Sequence, residues 1–348
     1  MTLWHYILRR LLLAIPTFIG ITLVCFALIH VVPGGPIEER LRAMRSMEST
    51  EGGARSRGAG NAPSAVTEQY RQDLVRHYGF DQPLLQRYWN WLVHQRLGLS
   101  TPSYKYSNKT AWELIRGRIP VSLWFGITGF LLSYLVCIPL GIAKTLRHGT
   151  PFDMFSSVAV LVGYALPAFV MGMVLKTLLC GTSDAFWDVL PLGGFESENF
   201  ATLPLWGKCV DRLRHLALPL VCYVMGNFAV LTLMMKNSLL DQISADYVRT
   251  VLAKGATRRH ALIRHALRNA LIPIATGFGG ILMVMFAGSV LIERVFEIPG
   301  MGILSLEALE GRDYPVFMAL LVLTSLLGLA GRILSDICYR LIDPRIRF

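Results

Sequence analysis

Six long, nearly uncharged apolar runs mark the chain, at about Leu11–Val32, Val121–Ala143, Phe155–Leu179, Leu216–Met235, Leu271–Ile292 and Val316–Tyr339. Each holds about 20 residues or more, enough to cross a hydrocarbon core of roughly 30 Å as a helix. Ionisable residues are sparse in all of them, as they must be where a central charge costs roughly 2.5–3.5 kcal/mol. The pattern predicts an all-α integral membrane protein with six transmembrane helices. The first run follows Arg9 and Arg10. It exceeds the roughly 7–15 residues of a signal-peptide core, and Pro33-Gly34-Gly35 is no small-residue cleavage site, so it reads as a retained helix.

The runs divide the chain into an N-terminal helix (1–32), a loop region (33–118), a five-helix core (119–342) and a short tail (343–348). The core contains a polar stretch at 236–270 and a second loop at 293–315. Within the first loop region, 40–64 is rich in Gly, Ser, Ala and Arg and almost free of large hydrophobes. Such a composition cannot offset the entropy of ordering and predicts a flexible insert. Beyond it, Thr67–Tyr78 predicts a short helix, Gly79–Pro83 a turn and Leu84–Val93 a second, amphipathic helix. Tyr88, Trp89 and Trp91 there suit either a grip on a ligand or packing at the membrane interface, where such rings concentrate.

Charge sets an orientation. Lys144, Arg147, Arg340 and the residues from Lys236 to Arg268 fall on one side, with Arg9 and Arg10. The opposite short loops are richer in acids, among them Asp184, Asp188, Glu196, Glu297 and Glu307. The asymmetry puts both termini and the 236–270 loop in the cytoplasm. The formal net charge of +11 therefore reflects topology plus a docking face, with no nucleic-acid partner implied. Cys180 and Cys209 share the outer side and can pair in an oxidising compartment.

The most specific stretch is Ser244–Pro273. Ser244 can cap a first helix, Lys254 suits its last turn and Gly255 the left-handed position that ends it. Thr257 then starts a second helix carrying Arg258, Arg259, Arg264, His265 and Arg268. Two short helices around a glycine make a rigid elbow.

Asp246-Tyr-Val-Arg-Thr-Val-Leu-Ala-Lys-Gly255 and Arg264-His-Ala-Leu-Arg-Asn-Ala-Leu-Ile-Pro273 resemble the cytoplasmic coupling (EAA) loop of ABC-importer permeases of the dipeptide/oligopeptide family. The naming Glu-Ala-Ala is replaced by Arg249-Thr250-Val251. Glu293-Arg-Val-Phe-Glu-Ile-Pro-Gly-Met-Gly and Gly311-Arg-Asp-Tyr-Pro315 are similar to the segment before the family's last helix. Tyr78–Leu84, Arg87–Trp91 and Leu97–Ser100 resemble the segment after its first helix, although Gln95-Arg96 stands where the family usually has Gly-Asp. The long insert, Lys236-Asn-Ser-Leu-Leu-Asp241 and the ending Ile342–Phe348 are most similar to the YejB-type branch, whose importer admits oligopeptides and the peptide antibiotic microcin C.

The resemblance implies the type I ABC importer permease fold in a bacterial inner membrane. The implied partners are a second homologous permease, two ATP-binding subunits, a periplasmic solute-binding protein, a peptide substrate and membrane lipid. It implies ATPase coupling through Asp246, Tyr247, Arg249, Ala253, Lys254 and Gly255, with Arg264, His265, Arg268 and Asn269 locking the elbow to the next span. It implies a periplasmic mouth of Glu293, Arg294, Phe296, Pro299, Gly300, Met301, Arg312, Asp313, Tyr314 and Pro315, whose alternative role is a structural lid. Nickel and glutathione are alternative cargoes within the same family.

The chain has no Gly-x-x-x-x-Gly-Lys-Ser/Thr loop for nucleotide phosphates. It has no metal-ligand cluster and no recognisable nucleophile set. It is thus expected to be a non-catalytic transport subunit that binds no cofactor, with ATP and Mg held by the partner ATPases. An ion-coupled carrier is the reading from another class, and it asks for ionisable residues near the bilayer midplane. Here Lys176 and Arg332 lie toward helix ends, where both can snorkel, and Arg332 can pair with Asp336.

Overall fold

The computed structural model of the protein describes residues 3–31, 72, 81–106, 108–181, 187–280 and 289–342. The expected insert 40–64, the expected helix Thr67–Tyr78 apart from Gln72, residues 281–288 of the fifth apolar run and the tail 343–348 lie outside them. The described residues form helices and two isolated β-bridges, without a strand.

The chain order is α1 (Leu3–Val31), α2 (Leu84–Trp89, extended by a π-turn at Asn90–His94), α3 (Ala111–Leu146), α4 (Pro151–Ala165), α5 (Ala168–Leu179) and α6 (Leu205–Ile243). Then come α7 (Asp246–Ala253) and a composite helical run, α8, over 258–280. It is followed by α9 (Val290–Val295), α10 (Met301–Glu310) and α11 (Tyr314–Ile342). Among the described residues, three segments are long and apolar enough to cross a membrane unaided: His5–Ile29, Ala111–Leu146 and Tyr314–Cys338. Two further candidates are bent pairs, α4 with α5 at 94° and the two parts of α6 at 46°.

The sharper bend has a local cause. Proline disfavours the helical region for the residue before it, and Leu166 accordingly sits at φ −88°, ψ 123° ahead of Pro167. A run that reads as one continuous span, Phe155–Leu179, is thus two short helices. At the other extreme, α3 starts well before its apolar run. Thr110 and Glu113 form a capping box there: Glu113 N–H donates to Thr110 Oγ1 (3.3 Å) and Thr110 N–H to Glu113 Oε2 (3.0 Å).

The chain divides into two compact units. One comprises Met1–Ala14, Arg118–Leu304 and Leu326–Phe348. Its first core joins Phe125 of α3, Leu216 and Cys222 of α6, and Ile292, Phe296 and Ile298 around α9. Its second joins Met235 and Leu239 of α6 to Val248 of α7 and Ala261, Ala266, Ala270 and Ile274 of α8. Glycines let helices touch backbone to backbone here. A Cβ on Gly331 of α11 would stand 2.2 Å from the carbonyl oxygen of Gly279 in α8. Asp336 bonds Tyr6 Oη (2.9 Å) and pairs with Arg10 (3.3 Å), while Arg332, offered either snorkelling or a pair with Asp336, is exposed.

The other unit comprises Ile15–Gly117 and Ser305–Ser325. Phe26 of α1, Tyr88 and Trp91 of the α2 region and Met318 and Val322 of α11 form its core. Tyr88 Oη and Thr22 Oγ1 share a 2.8 Å hydrogen bond. Of the three rings proposed for ligand grip or interface packing, two are therefore core residues, and Trp89 alone is exposed. Cys180 is buried, Cys209 exposed, and both are free thiols.

Candidate functional site

Helix α6 ends at Ile243, and the chain turns into α7 through Ser244 and Ala245. Ser244 does not cap α7: its hydroxyl donates back to the Leu240 carbonyl (3.1 Å), and Ala245 occupies the capping position without a side-chain bond. The far end of α7 closes as the residue types demand. Gly255 has φ +87°, its N–H donates to Leu252 O (3.0 Å), and Ala256 N–H donates to Val251 O (3.3 Å). This bonding is a Schellman ending, in which the left-handed residue satisfies carbonyls the helix would otherwise leave open. Two residues on, Thr257 Oγ1 accepts the His260 N–H (3.3 Å) and starts α8.

Helix α8 contains a π-turn at Ala261–Ala266 before it returns to α-helix at Leu267–Ala270. Val248, Ala261, Ala266 and Ala270 face the α6 core, so the elbow is clamped by apolar contacts on its inner face. Its outer face is mostly polar, with Leu252 and Ile263 also exposed. Asp246, Arg249, Ala253, Lys254, Gly255, Arg264 and Arg268 are exposed, and Asp246 pairs with Arg249 at 3.6 Å.

The lock is more selective than the sequence implies. Tyr247 Oη donates to Gln242 Oε1 (2.8 Å) and accepts from Asn269 Nδ2 (3.1 Å), tying α6, α7 and α8 through three side chains. Ser238 Oγ adds a bond to Ala270 O (2.9 Å). Of the four residues implied to lock the elbow, Asn269 bonds α7 through Tyr247, while Arg264 and Arg268 are exposed. His265 is half-buried, its ring 5.8 Å from that of His260. Gln242 and Ser238 escaped sequence reasoning because nothing local distinguishes them from other polar residues near a helix end.

The second group of candidates is mostly interior. Glu293, Phe296, Gly300, Met301, Asp313 and Pro315 are buried, Pro299, Arg312 and Tyr314 half-buried, and Arg294 exposed. Glu293, 1% exposed, follows the first residues of α9. Its Oε2 accepts the Ile303 N–H (2.9 Å), while Oε1 has no hydrogen-bond partner among the described residues. Gly300 and Gly302 crowd this carboxyl: a Cβ on either would lie within 3.0 Å of it. Burial pushes the Glu293 carboxyl up to about 7, against the pull of backbone N–H groups and of Arg118. In the other unit, Asp313 accepts hydrogen bonds from the Ser103 hydroxyl and Tyr104 N–H, fastening the 101–110 loop. Both acids thus bind backbone or side-chain groups of their own chain.

One charged cluster was missed altogether. Lys144 of α3 and Lys236 of α6 both meet Asp153 of α4, at 3.1 and 2.8 Å, with side chains no more than 12% exposed. The available signal was a single acid at the edge of an apolar run, but its partners are distant in sequence, and both lysines read naturally as topology markers.

Apolar helices linked by a cationic elbow define a multi-pass membrane protein. Residues 137–348 match the family described as binding-protein-dependent transport system inner membrane component, and the chain belongs to that family. The inner membrane ABC transporter permease protein YejB of Escherichia coli O157:H7 is 36% identical, over 99% of this chain and 98% of that protein. The peptidoglycan transport system permease protein YejB of Agrobacterium fabrum is 37% identical, with the same shares covered. The dipeptide transport system permease protein DppB of Escherichia coli K12 is 32% identical, again over 99% and 98%.

Proposed function

We propose that this chain is a permease subunit of an ATP-driven importer that takes up oligopeptides, peptide antibiotics such as microcin C among them. The observation that carries this reading is end-to-end similarity to permeases named for dipeptide and peptidoglycan transport. Six spans cross the inner membrane in the proposed topology, with both termini and the elbow in the cytoplasm and 33–118 and 293–315 in the periplasm. A second homologous permease completes the pathway, a periplasmic solute-binding protein delivers peptide, and two ATP-binding subunits dock on the elbow. This chain binds no cofactor; ATP and Mg belong to the docked subunits.

The elbow's construction supports a mechanical role. Its outer face is free for a partner, its inner face is held by apolar packing, and the Gln242–Tyr247–Asn269 chain of exposed hydrogen bonds ties the three helices together. Closure of the ATPases then displaces α7, α8 and the end of α6 as one piece, turning the pathway from inward-open to outward-open. Tyr247, Ala253, Lys254 and Gly255 form the contact. The test is uptake by the complete complex in proteoliposomes. Peptide accumulation that needs ATP and the binding protein is expected. Uptake that collapses with an uncoupler and ignores ATP would establish an ion-coupled carrier instead, and transport of nickel or glutathione without peptide would replace the cargo.

A further inference from the structure

The buried cluster around Asp153 joins three helices at one point. Lys236 Nζ donates to both Asp153 carboxylate oxygens, each at 2.8 Å. Lys144 Nζ lies 3.1 Å from Asp153 Oδ1 and donates to Asp153 O (2.9 Å), Ser156 Oγ (2.8 Å) and Ser157 Oγ (2.7 Å). His148 Nδ1 stands 3.2 Å from the other oxygen. The Thr145 hydroxyl is shared between Gly141 O (2.9 Å) and Lys236 O (3.2 Å). A Cβ on Gly141 would stand 2.6 Å from Met235 Cβ, so α3 and α6 are pressed together beside the cluster.

Lys236 follows Met235 and precedes Leu239 by three residues, and both of those seat the elbow. The same turns of α6 thus hold the elbow through apolar side chains and hold α3 and α4 through Lys236. Two ammonium groups and one carboxylate in a nearly dry site make a directional clamp, because Asp153 cannot leave without stranding buried cations.

From this geometry we infer that Asp153, gripped by Lys144 and Lys236, is the positioning residue that transmits elbow displacement to α3 and to the α4–α5 bend. It makes no contact with cargo or nucleotide. The inference rests on the importer reading above and adds the route by which force leaves the elbow.

The informative variant is Lys236→Met, which keeps an Asp153–Lys144 pair and fills a similar volume, whereas Asp153→Asn strands two cations and can fail to fold. The assay is peptide imported per ATP hydrolysed by the complete complex in proteoliposomes, after matching the amount of assembled complex. Lys236→Met should lower that ratio about five- to tenfold, the scale of a typical coupling energy. Lys236→Arg, which can also bond both carboxylate oxygens, should retain the wild-type ratio. An unchanged ratio in Lys236→Met, with uptake falling only as assembly falls, would reduce the cluster to a stabilising one and overturn the inference. A wild-type complex without ATP-driven peptide uptake would instead remove the importer reading, and this inference with it.

Discussion

Exchanging Glu293 for Gln removes a titration that burial has moved close to neutrality. An ordinary glutamate releases its proton near 4.5, and in the folded chain this one is raised to about 7. Between those values the folded protein holds a proton that the unfolded chain has released. Stability must therefore fall as pH rises through this window. The stabilisation is complete below pH 4.5 and lost above about 7. At 1.36 kcal/mol per unit, the full swing is on the order of 3 kcal/mol. For a chain of this length that is a shift in melting temperature on the order of 4 °C. The assay is thermal unfolding of the purified chain in detergent from pH 5 to pH 8.5, wild type beside Glu293→Gln. All other titrations are shared, so the difference between the two melting curves isolates this carboxyl. The variant should approach wild type at acid pH, gain on it up to about pH 7 and hold a level advantage above that. A pH-independent difference would refute the assignment of a buried, proton-holding carboxyl to this position.

Three further outcomes rest on local geometry. Gly255→Val forces a branched residue to φ +87°, at about 1–2 kcal/mol in the left-handed region; membrane insertion should persist while ATP-driven uptake fails, and normal uptake would remove the elbow from the coupling path. Gly331→Ala drives a methyl against Gly279 O and should lower thermal stability by about 1–3 kcal/mol, measured on the purified chain; an unaltered melt would show that α8 and α11 do not touch there. Asp313→Ala strands the Ser103 hydroxyl and the Tyr104 N–H, at about 1–3 kcal/mol each. Limited proteolysis should then cut faster within 101–110, and an unchanged rate would count against Asp313 as the fastening of that loop.

The elbow was legible because its chemistry is local. Gly255 ends α7 and Thr257 begins α8 through bonds to residues at most five positions away, and each residue type advertises its conformation. The long helices were legible from uninterrupted apolar runs. Their true extents were less so. Arg116 and Arg118 end the apolar pattern of α3 on one side, while the capping box at Thr110 and Glu113 extends the helix beyond them. Pro167 stood in plain view, yet composition alone does not distinguish a kinked span from two helices meeting at nearly a right angle. Pairings across large separations left no trace in sequence. Asp153 meets Lys236 across 83 residues, and Asp336 meets Tyr6 across 330. For Arg332 the local alternatives were snorkelling or a pair with Asp336, and Arg10 supplies the cation on Asp336.

The near right angle between α4 and α5 sets how high this part of the chain can stand. At about 1.5 Å per residue the legs measure roughly 22 and 18 Å, and with both tilted equally they climb about 28 Å together. With α4 upright, α5 lies flat and the climb shrinks to about 21 Å, well short of a hydrocarbon core of roughly 30 Å. Rocking this hinge therefore changes the apolar thickness offered to the surrounding lipid, and bilayers of different depth will favour different tilts of the same two helices.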